Sequence, residues 1–258
     1  MPILKLPEPA NWHRSRRVFM WPTLGVLAFT SFGLYWSVVA TIRGHYLTPV
    51  ALFGISVFPL IAMASLLLVS FGRTSLRAES DSEGTLLRPD RLFSTLMIVG
   101  FVSVIPSGIV FILYAPTGTL DIPMSRGYQI FSPIVMALAV VTVLVGLVSM
   151  LRRGGIGYLK LTPAGVDIAN MVSTKSVDWN DVVDIKDKTD TKRRTRKAIV
   201  FCLQDGSEEI VDGADFYVPR GVALYWMARH YWRYPDDRSE LTDGRALERL
   251  RDERFALD

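Results

Sequence analysis

The chain has 258 residues, of which 50% are apolar and 21% are charged, and its formal net charge at pH 7 is +4. So large an apolar fraction disfavours a single soluble domain; the apolar residues concentrate before Leu151 and the charges after it. The one cysteine, Cys202, excludes an intrachain disulfide.

Four apolar runs predict a membrane domain over residues 18–151. Each is long enough to cross about 30 Å of hydrocarbon as a helix, which takes about 20 residues. None contains an acid, a base or a histidine. Because proton relays, ion pathways and intramembrane catalysis use ionisable groups at depth, these runs favour a partner or scaffold over a pump. The runs are Val18–Ile42, Val50–Phe71, Leu92–Tyr114 and Ser132–Leu151.

Two of the runs carry a proline near the centre. Pro59 and Pro106 lack the N–H that a helix interior needs, so each is predicted to kink its helix. Hydroxyl groups at Ser56, Ser103 and Ser107 are available to re-satisfy the backbone there. We interpret both prolines as shaping the helices; a gate or a substrate groove is the alternative.

Small residues predict the faces on which the helices approach one another closely. The spacings Gly33-x-x-x-Ser37 and Ser103-x-x-x-Ser107 fit the small-xxx-small pattern. The pattern locates faces and identifies no partner. The small residues are Gly25, Gly33, Ser37, Gly54, Gly100, Ser103, Ser107 and Gly108.

The orientation of the spans follows from the lysines and arginines in the short loops. Eleven lie before the first span, between spans two and three, or just after span four, and two lie in the other loops. Residues 1–17 and the C-terminal part are therefore predicted to be cytoplasmic, in a multi-pass plasma-membrane protein. The eleven are Lys5, Arg14, Arg16, Arg17, Arg73, Arg77, Arg88, Arg91, Arg152, Arg153 and Lys160; the two are Arg43 and Arg126.

Residues 157–235 are predicted to form an α+β cytoplasmic domain of short strands followed by one helix. Asp205-Gly206 between apolar segments predicts a hairpin. Apolar residues recur at helical spacing from Val222 to Trp232, after Pro219. A charged helical tail is predicted over 236–258. The strands are expected at Tyr158–Leu161, Val166–Met171, Ser176–Trp179, Val182–Ile185, Ala198–Leu203 and Glu208–Val211.

This order of elements resembles a pleckstrin-homology-like (PH-like) barrel capped by its helix. Residues 155–235 are similar to the membrane-tethered PH-like domains of bacterial proteins in Tyr158-Leu159-x-Leu161-Thr162-Pro163-x-Gly165, in Trp179-x-x-Val182 and in the Asp205-Gly206 turn. The segment from Tyr234-Pro235 to Arg249-Leu250 looks like the tail of small actinobacterial membrane proteins. The layout of four spans and this domain is also similar to that of accessory subunits of mycobacterial Mce lipid-import complexes.

A basic segment is the sharpest local feature of the predicted domain. Lys192-Arg193-Arg194-Thr195-Arg196-Lys197 has five basic residues in six, with Lys186 and Lys188 upstream. Near an anionic leaflet each such residue contributes about 1 kcal/mol to binding. The segment therefore predicts contact with anionic inner-leaflet lipid or with an acidic protein surface; a solvated hairpin tip is the alternative. No recognised module for nucleic acid accompanies it, so nucleic acid is not an expected partner.

The sequence gives no catalytic, cofactor or metal site. His13, His45 and His230 have no partner at triad or metal-ligand spacing, and no phosphate-binding glycine motif is present. The series Asp178, Asp181, Asp184 and Asp187 is best explained by solvated strand edges and turns. Cys202 lies in a predicted strand and is expected to be a buried, inert thiol.

We therefore expect a protein that is not an enzyme and that packs on other integral membrane subunits. By the resemblance, the complex is a lipid importer. The alternative is a stand-alone membrane sensor or regulator whose PH-like domain binds anionic lipid or a cytoplasmic protein.

Overall fold

Residues 6–12, 17–170 and 173–255 are described by a computed structural model, in which the helix that begins at Arg17 is described by its backbone alone as far as Met20. The chain separates into two compact units. One, the membrane unit, contains Ser15–Leu67 and Ser94–Arg152. The other, the sheet unit, contains Met1–Arg14, Leu68–Phe93 and Arg153–Asp258.

Four long apolar helices confirm the predicted spans. They are α1 (Arg17–Ile42), α2 (Leu47–Ser70), α3 (Arg91–Tyr114) and α4 (Arg126–Arg153). All four are long and apolar enough to cross a membrane. Helix α4 begins six residues before the predicted start at Ser132. The prediction depended on an uninterrupted apolar run, and the polar residues Arg126 and Gln129 interrupt the run in the first turns of the helix.

Small residues bring the helices of the membrane unit together, as predicted. A side chain added at Gly33 would lie 1.9 Å from Ser56 Oγ, and one added at Gly54 would lie 1.9 Å from the carbonyl oxygen of Ser103. One added at Gly108 would lie 2.4 Å from Val140 Cγ2. Glycine therefore sets the spacing of α1 with α2, of α2 with α3 and of α3 with α4. Gly25, by contrast, has nothing within 4 Å of the position its side chain would take.

Helices α2 and α3 continue through Pro59 and Pro106, and the predicted kinks stay a prediction. The serines near them bond elsewhere in the backbone. Ser103 Oγ donates to the carbonyl of Gly100 at 2.8 Å, and Ser107 Oγ accepts from the N–H of Gly54 at 2.8 Å. Neither bond reaches the carbonyl four residues before a proline, the one that a proline leaves without a donor.

Among the described residues, eight strands form two open antiparallel sheets in the sheet unit. The order in the first is β1-β2-β3-β4-β5 and in the second β6-β7-β8. The described strands do not close into one barrel: a turn of 3-10 helix at Trp179–Asp181 separates β5 from β6, so the chain passes to the second sheet without pairing to the first. The strands are β1 (Arg77–Asp81), β2 (Gly84–Arg88), β3 (Tyr158–Leu161), β4 (Gly165–Ala169), β5 (Thr174–Asp178), β6 (Val182–Lys186), β7 (Ile199–Leu203) and β8 (Glu208–Val211).

The predicted strands after residue 157 are present, within a few residues at their ends; Met171, the predicted end of the second, lies outside the described residues. The hairpin of β1 and β2 was not predicted. It lies between α2 and α3, and its second strand pairs with β3, with Thr85 opposite Leu161 and Leu87 opposite Leu159. Chain segments before α3 and after α4 thus share one sheet.

The core of the sheet unit joins its sheets to the helices that follow them. Helix α5 (Val222–Arg233) buries Leu224, Met227 and Tyr231 against this core. The predicted tail is helical in two short pieces, α6 (Glu240–Asp243) and α7 (Arg245–Arg251). It is anchored to the unit, because Leu241, Ala246 and Leu250 are buried in the same core and the carbonyl of Leu241 accepts from Thr85 Oγ1 at 2.8 Å.

The described N-terminal residues 6–12 belong to the same core. Trp12 is buried, its ring lies edge-on to that of Tyr225 at 5.7 Å, and its Nε1 donates to the carbonyl of Ala198 at 3.1 Å. Asn11 donates through both its backbone and its side chain to Asp187, at 2.9 and 2.8 Å. Three segments that the spans separate in sequence therefore form one folded unit.

Candidate functional site

The basic residues predicted to bind lipid or a partner lie on or beside the loop that joins β6 to β7. The structure divides them by exposure. Lys188, Lys192, Arg193 and Arg194 are exposed, whereas Lys186, Arg196 and Lys197 are partly buried. Lys186 ends β6 and forms an ion pair with Asp190 at 2.8 Å.

Contacts to β8 hold the first half of this loop. Thr189 is buried and its hydroxyl bonds to the carboxylate of Glu208 and, at 2.8 Å, to the hydroxyl of Thr191. The N–H of Asp190 donates to the other oxygen of Glu208 at 3.1 Å. The hydrogen bond from Lys186 lowers the pKa of Asp190. The exposed cations therefore project from a loop whose base is fixed.

Arg196 and Lys197 fix the other end of the loop. The guanidinium of Arg196 donates to both oxygens of Asp215 at 2.7 Å and lies 4.9 Å from the centre of the Phe216 ring. The ammonium of Lys197 lies 3.7 Å from the same carboxylate and donates to the carbonyl of Arg220 at 3.0 Å. Both side chains point inward, and the exposed members of the basic segment are Lys188, Lys192, Arg193 and Arg194.

Asp215 is fully buried, which gives this anchor its electrostatic character. Burial raises the pKa of the Asp215 carboxyl, while the charges of Arg196 and Lys197 act in the opposite direction. A bidentate guanidinium–carboxylate pair is among the strongest hydrogen-bonded arrangements in proteins. Sequence reasoning missed Asp215. In Asp212-Gly213-Ala214-Asp215-Phe216, the only local feature that distinguishes it is the aromatic residue that directly follows it.

Four cations that share one exposed loop create a local positive potential. No ion pair involves Lys188, Lys192, Arg193 or Arg194 within the described part of the chain. Such a potential attracts an anionic leaflet or an acidic protein surface, and salt weakens it because the charges are exposed.

The aspartate series contributes to local structure. Asp178 accepts from the N–H of Asn180 at 2.8 Å and caps the 3-10 turn. Asp184 accepts from the N–H of Ile185, and Asp187 binds Asn11. In the ranges that the structure describes, no three His, Cys, Asp or Glu side chains lie close enough to hold a metal ion.

Cys202 and His230 lie in packed surroundings, while His13 lies outside the described residues. Cys202 is partly buried, and burial raises the pKa of its thiol, which favours the unreactive protonated form. His230 is buried on α5; its Nε2 lies 2.9 Å from Asp237, and its Nδ1 has no hydrogen-bond partner.

The loops at the other ends of the spans also contact each other. Nη1 of Arg43 donates to both oxygens of Asp121, at 3.1 and 3.0 Å, and the N–H of Asp121 donates to Thr48 Oγ1 at 2.9 Å. Ala115 and Leu120 are buried there with Ala51 and Phe111. The loop from α1 to α2 and the loop from α3 to α4 are thereby fixed to one another.

The chain matches no known protein-family model, no curated protein and no solved structure.

Proposed function

We propose that the chain is a non-catalytic membrane accessory protein, a scaffold that binds and stabilises a complex of integral membrane subunits. One observation carries the proposal. The four apolar runs contain no acid, base or histidine, while their glycines and hydroxyls are used to pack α1–α4 together. A bundle of this kind provides adhesion and lacks the groups that proton and ion pathways require.

Helix α4 is the natural surface for a membrane partner. In the most apolar stretch of α4, 11% of the residues are buried within the chain, against 33% in that of α2. Leu138, Val141 and Val145 on α4 are all more than half exposed. These side chains face either lipid or another subunit, and the scaffold proposal assigns them to the subunit.

The packing of the sheet unit supports one-sided placement of the basic loops. The strands before α3 and after α4 pair directly, and Trp12 donates to Ala198. A bilayer cannot lie between residues that share a sheet or a hydrogen bond. Since the same segments carry most of the lysines and arginines of the loops, we place them, with both termini, in the cytoplasm beneath the plasma membrane.

The strand order supports a PH-like reading of the sheet unit. Within residues 155–235, strands β3–β5 pair antiparallel in one sheet, β6–β8 pair in the other, and α5 follows. This is the order of strands and helix that the resemblance implies, whereas the β1–β2 hairpin lies outside its range and the described strands form no closed barrel. By the same resemblance, we propose an Mce-type lipid importer as the complex, which is an argument from architecture alone.

A stand-alone membrane sensor or regulator is the second candidate. It is favoured by the exposed cations Lys188, Lys192, Arg193 and Arg194, which suit anionic lipid as well as an acidic protein. In this function the domain binds its ligand, and the chain has no permanent partner in the membrane.

Photo-crosslinking in the native membrane tests the scaffold proposal. A crosslinking amino acid replaces Leu138, which is 66% exposed on α4, or Val140, which is 6% exposed on the same helix and serves as the matched control. If the chain is a scaffold, the crosslinker at Leu138 forms a defined adduct with another protein and the crosslinker at Val140 forms none. The protein attached at Leu138 is then identified.

Adducts with lipid alone, together with a solitary oligomer in mild detergent, would favour the sensor. Transport of solute or cleavage of a substrate by the lone chain in liposomes would overturn both candidates.

A further inference from the structure

A groove of about 960 Å³ opens in the sheet unit beside the end of α2. Its walls come from residues that are distant in sequence: Ser70 and Phe71 at the end of α2, Pro219 and Arg220 before α5, and residues 251–254 at the end of α7. All of these residues belong to one compact unit. The groove is therefore a feature of the folded unit.

The charged part of this groove contains four basic and three acidic side chains. Lys197, Arg220, Arg251 and Arg254 line it, with Glu8, Asp252 and Glu253. Arg254 is paired with Asp252, and Lys197 with Asp215. In residues 6–12, 17–170 and 173–255, no carboxylate forms an ion pair with Arg220 or Arg251, and both side chains are exposed. Two guanidinium groups are thus available to an anion.

Unusual backbone geometry is concentrated at the same place. Among the described residues, the non-glycine residues with a positive φ are Lys197 (47°), Arg220 (66°) and Glu253 (54°). All three line the groove. Left-handed conformations are unfavourable for such residues and cluster at binding sites, where the surrounding structure maintains them.

Packing at Gly72 places the Arg220 side chain next to the end of α2. A side chain added at Gly72 would lie 3.1 Å from Arg220 Cγ, so glycine allows the aliphatic part of Arg220 to rest on this turn. Phe71, one residue before, is 63% exposed. Because Phe71 directly follows a helix that is long and apolar enough to span a membrane, its exposed apolar ring is expected near the end of the span, where it can contact lipid.

We propose that this groove binds the phosphate headgroup of an anionic membrane lipid, with Arg220 and Arg251 as its ligands and Phe71 against the lipid beside it. Guanidinium groups donate two parallel hydrogen bonds to phosphate oxygens, which gives geometric selectivity as well as attraction. The location after α2 favours a lipid over a soluble phosphate compound of the same chemistry. The inference goes beyond the scaffold function and does not depend on it.

Lipid retention by the full-length chain tests the proposal. The protein is purified in mild detergent with an equal mixture of phosphatidylglycerol and phosphatidylcholine, and native mass spectrometry counts the bound lipids. Wild type should retain phosphatidylglycerol in preference. Arg220→Asn with Arg251→Gln should weaken that binding about tenfold, because two charge-assisted ligands are lost; asparagine is chosen at 220 because it tolerates a positive φ.

The matched control is Lys175→Gln with Arg245→Gln, which removes the same charge from exposed positions outside both the groove and the basic loop. Its retention should stay within about twofold of wild type, since separated exposed charges are screened. Equal retention by wild type and a folded groove variant overturns the proposal, as does an equal loss in the control. If the double variant does not fold, Arg251→Gln alone is decisive: it should still weaken retention, and unchanged retention overturns the proposal.

A measurement of inorganic phosphate binding distinguishes a lipid headgroup from a soluble phosphate compound as the ligand. Binding of inorganic phosphate that depends on Arg220 and Arg251, without retention of phosphatidylglycerol, would overturn the lipid assignment in favour of a soluble ligand. Because both measurements use the lone chain, their outcome is independent of whether a protein partner is captured.

Discussion

Arg196 and Asp215 form a bidentate ion pair, with both nitrogen–oxygen distances at 2.7 Å and the carboxylate fully buried. The pair joins the end of the basic loop to the 3-10 turn at Ala214–Phe216. Lys197 contributes a second cation at 3.7 Å. The relationship changes the interpretation of the basic segment, because one of its arginines stabilises the fold from within.

Removing one partner should therefore be costly. We expect Asp215→Asn to lower the free energy of unfolding of the sheet unit by about 3 kcal/mol, because the Arg196 charge is left without its partner in a partly buried position. Tryptophan fluorescence of the full chain during thermal unfolding in detergent measures the change. Asp236→Asn, at an exposed position, is the control and should unfold like wild type. A similar midpoint for both variants would contradict a structural role for the pair.

The proposed contact of the exposed loop with an anionic leaflet gives a second prediction. In nanodiscs with anionic lipid, trypsin should cleave after Lys192, Arg193 and Arg194 about fivefold more slowly than in zwitterionic nanodiscs, since the loop is held at the leaflet. High salt should abolish the difference because the contact is between exposed charges.

The internal control for trypsin activity is a cleavage site introduced by Ser82→Lys in the β1–β2 turn. Ser82 is exposed, so trypsin can reach the new lysine. Cleavage at equal rates in both lipids would leave a protein partner or solvation as the explanation of the loop.

Close packing of α2 on α3 gives a prediction within the membrane unit. Gly54→Ala should destabilise the bundle by about 2 kcal/mol, because the new methyl group meets the backbone carbonyl of Ser103 at 1.9 Å and backbone cannot easily move. Gly33→Ala should cost less, since its obstacle is the hydroxyl of Ser56, which can rotate away.

Gly25→Ala is the matched control, because nothing lies within 4 Å of the new methyl group. The three variants are ranked by the temperature at which each loses its monodisperse peak in size-exclusion chromatography. We expect this temperature to be lowest for Gly54→Ala, higher for Gly33→Ala and highest for Gly25→Ala. Any other order would argue against this packing.

The sequence predicts the structure of the membrane unit more completely than that of the sheet unit, for physical reasons. The helices follow from uninterrupted apolar runs, which only a membrane tolerates. The β1–β2 hairpin was missed because Arg77, Glu79 and Asp81 in β1 give little apolar signal, and the partner strand β3 lies some seventy residues away. Sequence alone also could not tell that Arg196 points inward, since its partner Asp215 lies on the far side of two strands.

Finally, His230 should make the stability of the sheet unit depend on pH. Burial lowers the pKa of His230, the Arg249 charge lowers it further, and the hydrogen bond to Asp237 opposes them. The folded state therefore binds a proton less readily than the unfolded state, whose histidine titrates near 6.5. Stability is fully present above about pH 6.5 and falls as pH decreases, with a slope of at most about 1.4 kcal/mol per pH unit for one proton. Thermal midpoints between pH 7.5 and 5.5 should decrease in wild type and stay flatter in His230→Gln, whereas His45→Gln, in the exposed loop after α1, should behave as wild type. A slope that survives His230→Gln would assign the titration to another group.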